Sequence, residues 1–261
     1  MLDLGDVQLH YRIDGNPDGA PVVFANSLGT DLRLWDKVLP LLPQNLRYIR
    51  YDKRGHGLSS VPAAPYSMGA LVRDAERLLD HLEVRDCVFV GLSIGGLYAA
   101  NAYLRGADAA GIVFINSLRM DGLHLSWVND ATARLAKTGG GQLVMDAMMP
   151  HIAGPAFLER MRPNALGDAP YEAMDETSGI YQLMDGARSA TWDIAYENIK
   201  CPVLNLTGKY DKVFYKPDVV AGLLGRIPDT REVVFEDLGH LIPVEDGKRT
   251  AEALIDFGGG L

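Results

Sequence analysis

Gly91-Leu92-Ser93-Ile94-Gly95 decides the fold, together with the apolar run Val88-Phe89-Val90 before it and the Ala-rich run Gly96-Leu97-Tyr98-Ala99-Ala100-Asn101-Ala102 after it. The first run predicts a buried strand and the second a helix. A strand that passes into a helix through one Gly-flanked serine presents the hydroxyl at the edge of a sheet. The serine backbone is strained in such a turn, and the glycines leave space where Cβ atoms would collide with neighbouring strands. The helix start just after Ser93 leaves free N–H groups where an oxyanion would form.

Outward from this turn, strands and helices alternate. Pro21-Val22-Val23-Phe24-Ala25 is a continuous apolar run, as expected of a strand buried on both faces. Leu46 to Tyr51, Cys87 to Val90 and Gly111 to Ile115 continue the series. Val7 to Ile13 alternates as an edge strand would, with a turn expected at Asp14-Gly15-Asn16-Pro17. Met68 to Leu82 sets Leu71, Val72, Leu78, Leu79 and Leu82 on one helical face. The pattern predicts an α/β fold with a mostly parallel sheet flanked by helices.

The rhythm breaks after Asn116-Ser117. Residues 118–195 are rich in Met, Ala and Arg, and Gly139-Gly140-Gly141, Gly154-Pro155 and Arg162-Pro163-Asn164 divide them into helices. Strand patterns resume at Pro202 to Leu206 and at Glu232 to Phe235. The expected organisation is a core of residues 1–117 and 196–261, with 118–195 inserted as a helical lid. Such a lid lies over the sheet's C-terminal edge, where open α/β sheets bind ligands.

Composition narrows the function classes. The 261 residues, 48% hydrophobic, suit one large domain with an insertion. A net charge of −9 argues against nucleic-acid or anionic-membrane partners. It leaves a small anionic substrate open, because one arginine in a pocket outweighs a diffuse surface field. Cys87 and Cys201 read as buried thiols rather than a disulfide, and no Cys/His spacing matches a metal site. Neither a secretory leader pattern nor a bilayer-length apolar run is visible, so the expected location is cytoplasmic. Oligomeric state is not legible.

A serine hydroxyl is a weak nucleophile without a base beside it and a third group to orient that base. Asp211, in Gly208-Lys209-Tyr210-Asp211, follows the strand that ends at Leu206; His240, in Leu238-Gly239-His240, follows the next. Both fall at the edge that carries Ser93, in the order Ser, Asp, His. His240 is the expected base and Asp211 its orienting acid. His10, His81, His124 and His151 lack this placement, and His56 reads as a turn former. The expected oxyanion donors are the main-chain N–H groups of Ile94 and of Leu28, in the loop after the Val22–Ala25 strand. No cofactor is implied, since each step uses protein groups and water.

With these residues assembled, the chain resembles the α/β-hydrolase superfamily across essentially its whole length. The segments that carry the likeness are Tyr51-Asp52-Lys53-Arg54-Gly55-His56-Gly57-Leu58-Ser59, Gly91 to Gly96, Gly208 to Asp211 and Gly239-His240. Within the superfamily it most resembles the 3-oxoadipate enol-lactonases. Asn26-Ser27-Leu28-Gly29-Thr30-Asp31-Leu32, Trp35-Asp36 and Pro65-Tyr66-Ser67 fit that family, Asn26-Ser27 standing where most of the superfamily has His-Gly. The resemblance implies the α/β-hydrolase fold and opening of an enol-lactone in aromatic catabolism. It implies a small ester or lactone substrate that bears a carboxylate. Arg119, just beyond the Gly111–Ile115 strand, reads first as a solvated loop arginine and is the candidate among the arginines for a carboxylate partner. Trp127 is the candidate for the family's lid tryptophan, with Met145, Met148 and Met149 as helix-packing residues nearby. Ser117-Leu118-Arg119-Met120-Asp121-Gly122 departs from the family, which has a run of small residues there. Rival readings on the same residues are a general carboxylesterase, a C–C bond hydrolase, or a non-catalytic receptor that retains the pocket.

Overall fold

Apolar runs become strands and amphipathic runs become helices in the order the sequence sets. The computed structural model describes residues 1–63, 66–165, 167 and 169–259, so Pro65 of the family motif lies outside the described residues. A short ribbon pairs β1 (Leu2–Asp3) with β2 (Gln8–Leu9). Then follow β3 (Tyr11–Gly15), β4 (Pro21–Ala25), β5 (Arg47–Tyr51), α1 (Met68–His81), β6 (Cys87–Leu92), α2 (Ile94–Leu104) and β7 (Ala109–Ile115). Three helices come next: α3 (Leu123–Ile152), α4 (Pro155–Met161) and α5 (Gly179–Ala187). The chain ends with β8 (Val203–Gly208), α6 (Pro217–Leu224), β9 (Thr230–Phe235), α7 (Ile242–Glu245) and α8 (Gly247–Gly258).

One seven-stranded sheet runs β3-β5-β4-β6-β7-β8-β9. Only the β3–β5 pair is antiparallel. The expected edge strand from Val7 to Ile13 is in fact two strands. At His10 the chain leaves the β1 ribbon: its N–H meets Ser59 Oγ and its carbonyl takes the Asp52 N–H. Pairing with β5 then carries the strand through Asp14 and Gly15, so the turn begins two residues later than expected.

Alternation along each strand divides the core between the two faces of the sheet. Val23, Ala25, Ile49, Phe89, Ile112 and Phe114 pack with Leu71 and Leu78 of α1 and Leu97 of α2. Val22, Phe24, Tyr48, Val90, Leu92 and Leu204 pack on the other side with Leu254 of α8. Between β7 and β8 the described residues form helices and turns with no strand. Gly139 (φ −148°, ψ 20°) and Gly140 (φ 70°, ψ −167°) break α3 where the sequence placed a division. Met148, Met174, Met184, Ala136 and Val144 make a small apolar cluster of their own in this insertion, and Leu28 of the loop after β4 joins it. Cys87 and Cys201 are free thiols, both buried. No helix among the described residues is long and apolar enough to cross a membrane.

Candidate active site

Ser93 sits between β6 and α2 with φ 56° and ψ −124°, a left-handed conformation that a non-glycine residue holds only under strain. Its N–H is fixed by Ile115 O at 2.8 Å. The tightness of the turn explains its glycines. A Cβ on Gly95 would lie 2.2 Å from Ala25 O, and one on Gly91 2.3 Å from Gly96 N. The first of these contacts shows that the end of β4 abuts the turn. Neither the Ile94 nor the Leu28 N–H meets an acceptor among the described residues.

His240 and Asp211 meet as their placement predicts, His240 Nδ1 lying 2.6 Å from Asp211 Oδ2. Both are buried, at 4% and 1% exposure. Burial by itself would raise the Asp211 carboxyl. The His240 charge and hydrogen bond, the Phe214 N–H and Arg119 together outweigh it and hold the group below its ordinary value. With Nδ1 committed to Asp211, Nε2 is the nitrogen left for proton transfer.

Two further residues hold the histidine loop, and neither was singled out from sequence. Asn116, at φ 44°, donates from Nδ2 to Gly239 O and His240 O and accepts from Gly208 N–H. It joins the ends of β7 and β8 to His240. The Glu245 carboxylate accepts from the Gly154, Gly239 and Leu241 N–H groups. An asparagine ending a strand has a readable signal, since Asn tolerates left-handed backbone. Glu245 has none, because its role is to join Gly154 of the insertion to the Gly239–Leu241 loop, and Gly154 lies 91 residues away.

Arg119 is brought to the site and is not solvated. It is 6% exposed, and its Nη2 donates to Ser93 Oγ and Asn116 O, both at 2.9 Å. Trp192 and Phe214 flank the guanidinium, their ring centroids 4.2 and 4.3 Å from Cζ. Phe214 also packs on His240, ring centroids 5.0 Å apart. Burial lowers the Arg119 pKa to about 10, Asp211 partly opposing it, so the group stays cationic at neutral pH.

Trp127 is not brought to the site, and the expectation for it is corrected. It is 74% exposed on α3 and lines an outer groove with Asp130, Ala131, Arg134, Leu135 and Thr138. The buried tryptophan is Trp192, 4% exposed, its backbone N–H held by the Asp121 carboxylate. Nothing local distinguished the two, because helical periodicity over 118–195 does not say which face meets the core. Trp127→Ala is therefore expected to change stability by no more than about 0.5 kcal/mol and activity by no more than about twofold. Trp192→Ala is expected to cost roughly 3–5 kcal/mol in urea unfolding.

The loop from Asn26 to Asp31 is braced from beneath. Asn26 donates to Tyr51 O (2.8 Å) and accepts from Trp35 Nε1 (2.7 Å), and Tyr98 Oη donates to its carbonyl (2.6 Å). Lys53 Nζ donates to Ser27 O and Thr30 O at 2.6 and 2.9 Å, and His56 Nε2 accepts the Gly29 N–H at 3.3 Å. Burial brings the His56 pKa down to about 2, with Lys53 acting in the same direction, so His56 is a neutral brace. Arg54, in the same turn, pairs with Asp74 and Asp6.

Burial also lowers the Lys53 pKa, to about 7, Asp52 and Asp31 opposing it. The unfolded chain keeps that proton up to about pH 10.4. Between these values the unfolded state binds the extra proton, so stability rises with pH, by an amount of order 1 kcal/mol per pH unit at most. Below pH 7 both states are protonated and the burial penalty is complete. Denaturant melts from pH 7 to 10 should show this slope, and Lys53→Met should remove it; an unchanged slope in the variant would reject the assignment.

A mostly parallel sheet with a serine in a strained turn at its centre, an Asp–His pair at the same edge and a helical insertion after β7 defines an α/β-hydrolase. Comparison with known proteins agrees. Residues 22–253 match the model of the alpha/beta hydrolase family, and the chain belongs to that family as a hydrolytic enzyme. Among curated relatives, 3-oxoadipate enol-lactonase 2 of Acinetobacter baylyi is 29% identical over 214 residues, 81% of this chain and 79% of that one. The crystal structure of the enol-lactonase from Burkholderia xenovorans LB400 superposes with a TM-score of 0.84 at 28% identity, covering 98% of each chain. An esterase from Exiguobacterium antarcticum shares the fold, with a TM-score of 0.80 at 20% identity over 96% of this chain and 95% of that one.

Proposed function

We propose that this chain hydrolyses a small carboxylic ester or lactone through an acyl-enzyme on Ser93, and that its substrate is an enol-lactone of the 3-oxoadipate type. The observation that carries the reading is the His240–Asp211 pair at 2.6 Å, at the same sheet edge as a serine held at positive φ. Ser93 Oγ attacks the carbonyl while its proton passes to His240 Nε2, and Asp211 stabilises the imidazolium that results. The Ile94 and Leu28 N–H groups take the oxyanion. Collapse expels the ring oxygen, which takes the proton from His240 Nε2 and leaves as an enol still tethered to the acyl group, so the imidazole is neutral again. Water then gives a proton to His240 and its hydroxyl to the acyl carbon, and Ser93 regains its proton as the acid leaves.

In this reading residues 118–195 act as a lid on a core of 1–117 and 196–261. Leu28 supports that division, because it packs into the insertion's own apolar cluster and ties the oxyanion loop to the lid. Arg119 receives the substrate carboxylate. The activity is placed in the cytoplasm, with which two buried free thiols agree.

The test measures loss of the enol-lactone's ultraviolet absorbance beside turnover of p-nitrophenyl acetate. A fluorophosphonate adduct is mapped by mass spectrometry in parallel. Rapid lactone loss, slow generic-ester turnover and an adduct on Ser93 are expected. Ester turnover without lactone loss would discard the enol-lactone, and an adduct elsewhere would discard the nucleophile.

A further inference from the structure

The nucleophile of this chain is already engaged. Ser93 Oγ takes the Arg119 Nη2 hydrogen bond at 2.9 Å, and among the described residues it hydrogen-bonds no imidazole nitrogen. The guanidinium is held there by Trp192 on one side and Phe214 on the other. It has no ion-pair partner among the described residues, and its buried Nε has no acceptor. A buried cation with an unused N–H is an incomplete arrangement, because burial penalises both an unpaired charge and an unmade hydrogen bond. An anion completes it, and the planar fork of the guanidinium suits a carboxylate.

We propose that Arg119 determines specificity by latching Ser93 until a substrate carboxylate takes the guanidinium, so that the site selects short half-esters and lactones of dicarboxylic acids over neutral esters. The inference rests on Ser93 being the nucleophile. While the latch is closed, one of the two Oγ lone pairs is bound to a cation, which draws charge from the oxygen and makes it a poorer nucleophile. A carboxylate draws that donor away, because a hydrogen bond between two charged groups is stronger than one to a neutral hydroxyl. Reach sets the substrate class. In the closed arrangement a point one charge-assisted contact of about 2.8 Å from Nη2 lies within roughly 6 Å of Ser93 Oγ, and the rings on both sides of the guanidinium keep a carboxylate bound to it near that point. The anion is then only a few bonds from the scissile carbonyl.

The test pairs monomethyl succinate with its neutral isostere, methyl 4-methylpentanoate, and measures kcat and KM for wild type, Arg119→Met and Arg119→Lys. Arg119→Met should lose roughly 10²-fold or more in kcat/KM on the half-ester. Its kcat on the neutral ester should rise above wild type, and Arg119→Lys should fall between the two on the half-ester. A merely structural arginine would depress both substrates together. Parallel losses, an unchanged preference, or a loss on the half-ester with no gain on the neutral ester would each overturn the latch. Wild type alone supplies a second measurement, which a misfolded variant cannot obscure. Monomethyl suberate, whose extended chain sets the carboxylate beyond this distance and which loses more entropy in folding it back, should turn over more slowly than the succinate, and equal kcat/KM for the two overturns the proposal. The underlying reading fails separately: Ser93→Ala would keep its turnover, whatever Arg119 does.

Discussion

Ser93→Ala is expected to lower kcat on the enol-lactone by roughly 10⁴–10⁶-fold without raising KM. In the proposed mechanism the hydroxyl forms its covalent bond only on the way to the acyl-enzyme, whereas the oxyanion donors and Arg119 would bind substrate without it. Steady-state kinetics with a fluorophosphonate titration of active sites measure this directly. A variant within tenfold of wild type would remove Ser93 from the mechanism. The fold should survive, because the strained φ of 56° is imposed by the turn between β6 and α2, not by the hydroxyl.

Asp211→Asn is the second large effect, with kcat falling roughly 10⁴-fold at neutral pH. The carboxylate at 2.6 Å accepts the Nδ1 proton and so leaves Nε2 as the base. An amide turned to donate would select the opposite tautomer and point a protonated Nε2 at the nucleophile. The substitution also changes acid stability. Because the Asp211 carboxyl is held below its ordinary value in the folded chain, the stability it contributes is complete above the unfolded value of about 3.9. That contribution is lost as pH falls through the folded value. Wild type should therefore lose more stability than Asp211→Asn on acidification below pH 4. Parallel acid-unfolding curves would show that the pair contributes nothing to the fold, and wild-type activity in the variant would show that it contributes nothing to catalysis.

The parts legible in the sequence are those whose causes are local. β4, β6, β7 and β8 read as apolar runs because both of their faces are covered. Ser93 could be placed because a strand, two glycines and a helix are contiguous in the chain. Asp211 and His240 could be placed because each ends a strand, and parallel strands carry their following loops to one edge. The edge strand near His10 was harder to read, since a single alternating pattern serves two successive partners. Asn116 and Glu245 went unmarked because each makes a hydrogen bond to backbone far along the chain, Asn116 to Gly208, 92 residues away, and Glu245 to Gly154, 91 residues away.

What the sequence by itself determined, then, is the α/β-hydrolase framework and the strand-end positions of Ser93, Asp211 and His240, because periodicity and strand ends are properties of neighbouring residues. Only the tertiary structure decided that Arg119 lies on Ser93, that Trp192 rather than Trp127 flanks it, and that Phe214 closes the slot while touching His240. Residues 93, 119, 192 and 214 belong to four separate segments, and a guanidinium stacked between two rings exists only once packing has brought them together.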